Sequence, residues 1–278
     1  MAIGGYVRLT RPVNCLIAWG GVVVGAMIGQ RAGPSVIGCL AGLSAALIAG
    51  GVNTLNDYFD VMADRVNRPE RPIPAGVVLE KRALVQGWGL VGGGVVLAWT
   101  VGVIPLLIAV GCVVLATVYN ARLQQAPLIG NVIVSLVSGV PFLYGGAVVG
   151  NVTPALIPCG FAFLFHVGRE LIKDVEDRQG DSVAGERSFA VCYGVEASYY
   201  VVAVVYTVLI GTTFLPFLLG SYGLGYLLLV IFGVDTVILY TLHSLWRDRS
   251  AQNWGRVSRL LKADMVVGIG AVLIGVYG

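Results

Sequence analysis

The sequence predicts an all-α integral membrane protein in which nine transmembrane helices surround a central cavity. Of its 278 residues, 57% are hydrophobic and only 12% are charged, which is the composition of a chain surrounded mostly by lipid. Long uncharged stretches separate clusters of charge, and each stretch is long enough for one or two spans of about 20 residues. The positions of the basic residues supply the third observation.

The nine spans follow from the uncharged stretches and from the turn residues that interrupt them. Residues 12–30 and 35–60 form the first two spans. Residues 83–121 hold two more, with Pro105 at the turn. The remaining stretches are 123–168, broken at 150–154; 197–234, broken at 220–223; and the last span, 258–277. In each stretch that is interrupted in this way, we expect a hairpin of two helices, because Gly and Pro interrupt helices.

Lysine and arginine test this count, because cytoplasmic loops are enriched in both. Nine spans place Arg8, Arg11, Arg122 and the clusters 65–82, 169–187 and 247–262 on one side, and only Arg31 on the other. We therefore expect a cell-membrane protein with a cytoplasmic N-terminus and an external C-terminus. The basic face suits membrane lipids or phosphates. No stripe of basic and aromatic residues predicts a nucleic-acid partner, and five scattered cysteines predict neither a disulfide nor a metal site.

Two segments repeat one spacing of carboxylates at the edge of an apolar span. Asp57, Asp60 and Asp64 end the second span, and Asp174, Asp177 and Asp181 end the sixth. On a helix this spacing places all three acids on one face, where like charges repel. We predict that a cation lies between them, namely Mg²⁺ bridged to a substrate phosphate, because this ion shares a few carboxylates with phosphate oxygens. The alternative is a pair of solvated acidic loops.

The four-span interval between the acidic motifs predicts an internal repeat within one domain. Spans 1–4, about residues 8–125, and spans 5–8, about residues 126–248, would form two similar units. The ninth span, 258–277, would close the ring. Both acidic motifs would then face one central cavity at its cytoplasmic mouth.

The loops after the two motifs are predicted to cap that cavity. Residues 65–76 contain three arginines and three prolines, so this loop is stiff and basic and suits phosphate binding. Its alternative role is to orient the protein during membrane insertion. The stretch from Arg178 to Arg187 is predicted to be the matching cap.

The motifs resemble those of a known family. NDYFDVMADRVNRPERPIPAG at residues 56–76 and GRELIKDVEDRQGD at 168–181 are similar to the two signature regions of UbiA-type intramembrane prenyltransferases. The resemblance implies transfer of an isoprenoid chain from its diphosphate to a lipid-soluble or aromatic acceptor, with Mg²⁺ as cofactor. It implies that the metal is held by Asp57, Asp60, Asp64, Asp174, Asp177 and Asp181. The catalytic residues it implies are Asn56, Asp60, Asp64, Asp177, Asp181 and Tyr119.

Basic and aromatic residues would serve the remaining steps. Candidates for contact with the diphosphate are Arg65, Arg68, Arg71, Lys173 and Arg178. Tyr119, Phe142 and Tyr144 could line a water-poor pocket for the allylic cation, or could simply pack. Tyr119-Asn-Ala-Arg122 resembles the family's tyrosine-plus-basic motif, with Arg122 in place of the usual lysine.

The segment before the first span resembles one branch of the family. Arg11-Pro-Val-Asn14 is similar to the archaeal digeranylgeranylglyceryl phosphate synthases. This implies that the sn-2 hydroxyl of geranylgeranylglyceryl phosphate attacks C1 of geranylgeranyl diphosphate. Arg11 or Arg122 could anchor the acceptor's phosphate, and Asn14 could orient its hydroxyl. The alternative is an aromatic acceptor, a precursor of a quinone or porphyrin.

Other ionisable residues have less defined roles. Glu170 or His166 could accept the hydroxyl proton, although a hydrogen-bonded wall residue is the simpler interpretation of His166. Asp235 should face the bundle interior, whereas Asp264 is predicted to be a surface charge.

Two other classes of membrane protein also use carboxylates at helical spacing. CDP-alcohol phosphotransferases place them in one continuous motif, which this chain lacks. Ion-coupled carriers place them near the bilayer midplane, whereas these acids lie at span ends beside arginine-rich loops.

Overall fold

The computed structural model describes residues 2–121 and 126–277, and the regular structure in these ranges is helical. The α-helices are α1 Ala2–Thr10, α2 Pro12–Gln30, α3 Val36–Phe59, α4 Val61–Asn67, α5 Glu80–Val101, α6 Val103–Ala121, α7 Ile129–Val148, α8 Leu156–Ala184, α9 Phe189–Thr213, α10 Leu215–Leu218, α11 Leu224–Leu229, α12 Thr236–Arg247 and α13 Ala251–Tyr277. A 3₁₀ turn, Thr153–Ala155, precedes α8, and a π-helical stretch, Val230–Asp235, joins α11 to α12.

The described residues contain nine helical segments long and apolar enough to cross a membrane, which confirms the predicted number. One turn is displaced from its predicted position at Pro105. Instead, α5 ends at Val101, and Gly102 adopts φ 155°, a backbone conformation that glycine reaches readily. Pro105 lies in the first turn of α6, where a missing N–H leaves no hydrogen bond unmade.

Helix α8 is longer than predicted and carries the whole second acidic motif. It has 29 residues, or about 44 Å at 1.5 Å per residue, and therefore exceeds a hydrocarbon layer of about 30 Å. The predicted cap loop from Arg178 to Arg187 is wrong over most of its length, because residues up to Ala184 are helical. Gly185 ends the helix in the left-handed conformation, with φ 76°.

The first acidic motif is divided between two helices that turn toward α8. Asp60, with φ −86° and ψ 8°, separates α3 from α4. A Cβ atom on Gly180 would collide with the Asn67 side chain and would lie 2.5 Å from the Ala63 carbonyl oxygen. The glycine therefore allows α4 to lie directly against α8, and this contact brings the two motifs together.

An N-terminal helix that the sequence did not predict supports the arginine-rich loop. Leu9 of α1 is fully buried against Ile73, Val78 and Ala83. Arg8 donates a hydrogen bond to the Glu70 carbonyl at 3.1 Å. Arg11 then adopts φ 52° before Pro12 begins α2, a left-handed conformation that is uncommon outside glycine.

Close helix crossings and an apolar cluster hold the bundle together. A Cβ atom on Gly25 would collide with the Phe142 carbonyl, and one on Gly145 would collide with the Val22 carbonyl. Helices α2 and α7 therefore pack with their backbones in contact, as small residues permit in lipid. The largest buried apolar cluster includes Leu171, Trp254 and Leu261 and joins α8, α9, α12 and α13.

Candidate functional site

Two cavities of opposite character meet inside the bundle. One is polar, measures about 80 Å³ and is lined by residues of both acidic motifs. The other measures about 660 Å³ and is lined mainly by apolar side chains of α2, α3, α6, α7, α8 and α13. The residues that line both cavities are Arg11, Asn56, Arg68, Arg71, Tyr119, Glu170 and Lys173.

Five of the six predicted metal ligands line the polar cavity, where the two motifs converge. They are Asp60 and Asp64 from the first motif, and Asp174, Asp177 and Asp181 from α8. Four further polar residues that the sequence does not single out line it too: Asn67, Asn131, Glu186 and Ser188. Two of them are neutral amides and carried no charge signal. Glu186 lies in the stretch predicted to be a cap loop.

The first acidic motif is bound to arginines from two neighbouring segments. Arg71 Nη1 lies 2.6 Å from Asp64 Oδ2 and 3.1 Å from Asp57 Oδ1. Arg11 pairs with the same Asp57 oxygen. Asp57 does not line the polar cavity. Instead, α3 directs this carboxylate toward two guanidinium groups and it holds them in place, so its role as a metal ligand stays a prediction.

The second acidic motif is bound to the loop that follows the first. Arg68 Nη2 lies 2.6 Å from Asp177 Oδ1 and 3.4 Å from Glu176 Oε1. Asn67 Nδ2 donates to the Asp177 carbonyl at 2.7 Å, and Gly180 N donates to Asn67 Oδ1 at 2.8 Å. The arginine-rich loop therefore closes over the acidic face of α8 through side-chain and backbone contacts.

The rest of the α8 face is also paired. Asp174 Oδ2 accepts hydrogen bonds from Asn131 Nδ2 at 3.0 Å and from Phe189 N at 3.1 Å. Glu170 lies between Lys173, at 2.9 Å, and Arg169, at 3.1 Å. Positive and negative side chains thus alternate along the wall where the two cavities meet.

Negative charge is nevertheless in excess in the polar cavity. Burial raises the pKa of Glu186 to about 8, and the carboxylates of Asp60, Asp181 and Asp177 add to this effect. Burial also raises the pKa of Asp64, although Arg71 opposes the shift. Carboxyl groups with raised pKa values favour either protons or a bound cation.

The donor atoms in this cavity suit a hard divalent cation. Carboxylate and amide oxygens are the ligands that Mg²⁺ prefers, and the polar cavity is lined by both kinds. Within residues 2–121 and 126–277, no three acidic, histidine or cysteine side chains form a group that could hold a metal ion as they stand. The ion pairs with Arg68 and Arg71 engage several of these carboxylates.

Two predicted phosphate ligands point elsewhere. Arg65 is largely exposed, and its guanidinium lies 3.8 Å from Glu80. Arg178 is exposed on α8. Neither lines either cavity, so the structure does not support their prediction as diphosphate contacts. A third candidate, Arg122, lies outside the described residues.

The remaining candidates lie around the large cavity. Asn14, Phe142, Tyr144 and His166 line it, and the Tyr144 hydroxyl donates to Ser44 Oγ at 3.2 Å. His166 Nδ1 lies 2.8 Å from the Ala162 carbonyl oxygen, so this nitrogen carries the proton and Nε2 can accept one.

Two acids, Asp235 and Asp264, lie deeper in the bundle. Asp235 is buried, as predicted, and accepts a hydrogen bond from the Thr213 hydroxyl at 3.3 Å. The prediction that Asp264 is a surface charge is wrong, because Asp264 is only 4% exposed and lines the large cavity. It lies two residues beyond the basic segment of α13, and sequence alone could not tell which side of the helix faces inward.

Comparison with known proteins identifies close relatives. The UbiA prenyltransferase family matches residues 18–263. The digeranylgeranylglyceryl phosphate synthase of Thermococcus kodakarensis is 36% identical over 99% of this chain and 98% of its own length. A solved digeranylgeranylglyceryl phosphate synthase structure is 28% identical, with a TM-score of 0.76 and 99% of both chains covered.

A third relative has the same fold at lower identity. It is a UbiA homologue from Archaeoglobus fulgidus, solved with GPP and Mg²⁺. It is 20% identical to this chain, with a TM-score of 0.71 over 96% of this chain and 99% of its own.

Proposed function

This chain belongs to the UbiA prenyltransferase family, and on that premise we propose that it transfers a geranylgeranyl group from geranylgeranyl diphosphate to the sn-2 hydroxyl of geranylgeranylglyceryl phosphate. It is an intramembrane prenyltransferase. The observation that carries the proposal is that both acidic motifs line one small polar cavity, which shares a wall with a large apolar cavity.

Each cavity suits one chemical part of the donor substrate. The diphosphate would lie in the polar cavity and the isoprenoid chain in the apolar one, so that the bond to be broken lies at their shared wall. Arg68 and Arg71 line both cavities and would move from their carboxylate partners to phosphate oxygens. Arginine suits this exchange because its planar donors match carboxylate and phosphate alike.

We assign magnesium binding to the acids that line the polar cavity. Asp60, Asp64, Asp174, Asp177 and Asp181 would supply the oxygens, and Asn56 would assist from the cavity boundary. Bound Mg²⁺ would neutralise the charge that develops on the departing diphosphate. The carboxylates would hold the metal, and Arg68 and Arg71 would position the diphosphate.

The apolar wall would protect the allylic cation once the C1–O bond breaks. Tyr119 lines both cavities, and its ring offers a π face where the cation forms. Apolar side chains around it exclude water that would otherwise trap the cation. Phe142 and Tyr144 continue this wall deeper into the large cavity.

The acceptor hydroxyl then forms the new bond. Its oxygen attacks C1, and the electron pair of the broken bond leaves with the diphosphate. The hydroxyl proton passes to the released diphosphate, to water or to Glu170, which lines both cavities. Asn14 on α2 also lines the large cavity and would orient the hydroxyl.

We further propose that the polar cavity opens on the cytoplasmic side of the cell membrane. The basic clusters around both motifs favour that side, and α8 is long enough for its second motif to extend beyond the hydrocarbon layer. The N-terminus would be cytoplasmic and the C-terminus external.

An acceptor competition test separates this function from the aromatic alternative. Purified enzyme is given labelled geranylgeranyl diphosphate together with geranylgeranylglyceryl phosphate and aromatic acids. Labelled ether lipid as the main product supports the proposal, which agrees with the activity named for the Thermococcus relative. Labelled aromatic product alone would overturn it.

Asp177→Ala should reduce transfer by at least about 100-fold, because it removes a charged group that acts directly at the leaving group. Chelation should abolish turnover in the unchanged enzyme, and added Mg²⁺ should restore it. Glu196→Ala is the matched control, since Glu196 is an exposed acid on α9 that lines neither cavity. Full activity in Asp177→Ala would refute the metal assignment.

A further inference from the structure

A group of basic side chains lines the large cavity away from the acidic motifs. Arg169 on α8 and Arg259 and Lys262 on α13 all line the large cavity and are absent from the wall of the polar one. We call these three residues the α8–α13 basic cluster. Arg11 and Lys173 line both cavities and so lie where the cavity of the cluster meets the proposed diphosphate site.

Three acids line the same cavity, Glu170, Glu176 and Asp264, but among the described residues only Glu170 forms an ion pair with the cluster. Arg169 shares Glu170 with Lys173, and its Nε atom is buried without a hydrogen-bond partner. Within the described part of the chain, Arg259 and Lys262 make no ion pair. Arg169, Arg11 and Lys173 are close enough to Lys262 to repel its ammonium group.

Arg259 is exposed, whereas Arg169 and Lys262 are half-buried, and half-buried positive charge on the wall of an apolar cavity is costly unless an anion shares the space. Arg259 and Lys262 are three residues apart, so helical geometry places them on one side of α13. The buried Ser258 also lines the cavity beside them and adds a hydroxyl donor. Two guanidinium groups, an ammonium and a hydroxyl match the donor requirements of a phosphate monoester.

The cluster and the polar cavity have opposite charge requirements. The polar cavity carries several carboxylates and therefore needs a cation before it can hold phosphate. The cluster has a positive excess and can bind an anion directly. Two different anionic groups can thus be held at once, on either side of Arg11 and Lys173.

We infer that the α8–α13 basic cluster binds the phosphomonoester of the lipid acceptor. This inference rests on the proposed function, in which the acceptor is a glyceryl phosphate. With its phosphate at the cluster, the glycerol lies beside the boundary residues, so its free hydroxyl is held next to the donor's reacting carbon. The acceptor's chain then shares the large cavity with the donor's chain.

The test combines a change in the enzyme with a change in the substrate. Transfer is measured for wild type and Lys262→Ala, with geranylgeranylglyceryl phosphate and with geranylgeranylglycerol, which lacks the phosphate. A lost charge-assisted contact should lower kcat/KM for the phosphorylated acceptor by roughly 10-fold to 100-fold. The same substitution should change the value for geranylgeranylglycerol less than about threefold.

Arg256→Ala is the matched control. Arg256 is an exposed basic residue on the same helix and lines neither cavity, so both acceptors should react as in wild type. Lys262→Arg should retain most of the preference for the phosphorylated acceptor, because the positive charge remains. Thermal unfolding of each variant in detergent shows whether the protein is folded.

The outcomes separate the inference from the proposed function. Equal losses with both acceptors would show that Lys262 does not contact the phosphate and would overturn the inference. A raised KM for geranylgeranyl diphosphate alone would overturn it too, because the cluster would then serve the donor. In both cases ether-lipid formation by wild type would leave the proposed function intact. Failure of wild type to use any glyceryl acceptor would refute the function itself.

Discussion

Gly180→Ala tests whether catalysis depends on the close contact between α4 and α8. Ordinary van der Waals contact for a Cβ atom begins at 3.4 Å, whereas the new Cβ would lie 2.5 Å from the Ala63 carbonyl oxygen. The carbonyl oxygen belongs to the backbone and cannot rotate away, so α4 must move back by about 1 Å. A misplacement of that size costs on the order of 100-fold in rate. The overpacking should cost only about 1–3 kcal/mol of stability, and the variant should remain folded.

The assay follows prenyl transfer at increasing Mg²⁺ concentration. We expect a lower maximal rate and a weaker apparent affinity for Mg²⁺, since the first motif moves away from the second. Gly160→Ala is the control: it lies on the same helix, and a Cβ atom there would meet nothing within 4 Å. Wild-type rate and metal dependence in Gly180→Ala would refute the idea that this contact sets the spacing of the motifs.

Two further predictions concern charged residues near the polar cavity. Arg65→Ala should keep the transfer rate within about twofold of wild type, because the ion pair of Arg65 with Glu80 is exposed. Arg68→Ala should lower the transfer rate at least about tenfold. Equal losses of rate in kinetic assays would contradict this distinction. Because burial raises the pKa of Glu186 to about 8 from an ordinary 4.5, the contribution of Glu186 to the stability of the chelated protein is fully present below pH 4.5 and is lost as pH rises toward 8. Glu186→Gln should flatten that decline in thermal unfolding measured from about pH 5 to about pH 9, and an unchanged slope would exclude Glu186 as its source.

The number of spans could be predicted from sequence because lipid imposes a simple rule on length and polarity. The break between α11 and the preceding helix matches the predicted turn at 220–223. Helix ends outside the apolar region were less predictable. Helix α8 continues to Ala184 through charged residues, because its packing against α4 stabilises a segment that hydropathy alone assigns to a loop.

The site was predictable to the extent that it depends on acidic spacing. The prediction that both motifs face one cavity agrees with their convergence there. The pairing of Asp57 with Arg11 and the contribution of Asn67 depend on contacts between distant segments, which no local pattern encodes. The α8–α13 basic cluster likewise joins helices far apart in sequence. The internal repeat and its residue limits stay predictions.

The crosswise ion pairs impose a condition on how ligands arrive. Arg68 is paired with Asp177, and Arg71 with Asp64, so each proposed phosphate ligand is matched with a proposed metal ligand. A divalent ion that bound alone would leave the guanidinium groups without their carboxylate partners. A polyanion that bound alone would leave the carboxylates without their guanidinium partners. Only their joint arrival leaves every charge compensated, and by reciprocity each favours the other. By the same reasoning pyrophosphate would leave together with its ion, and the paired side chains would then re-form the ion pairs seen here.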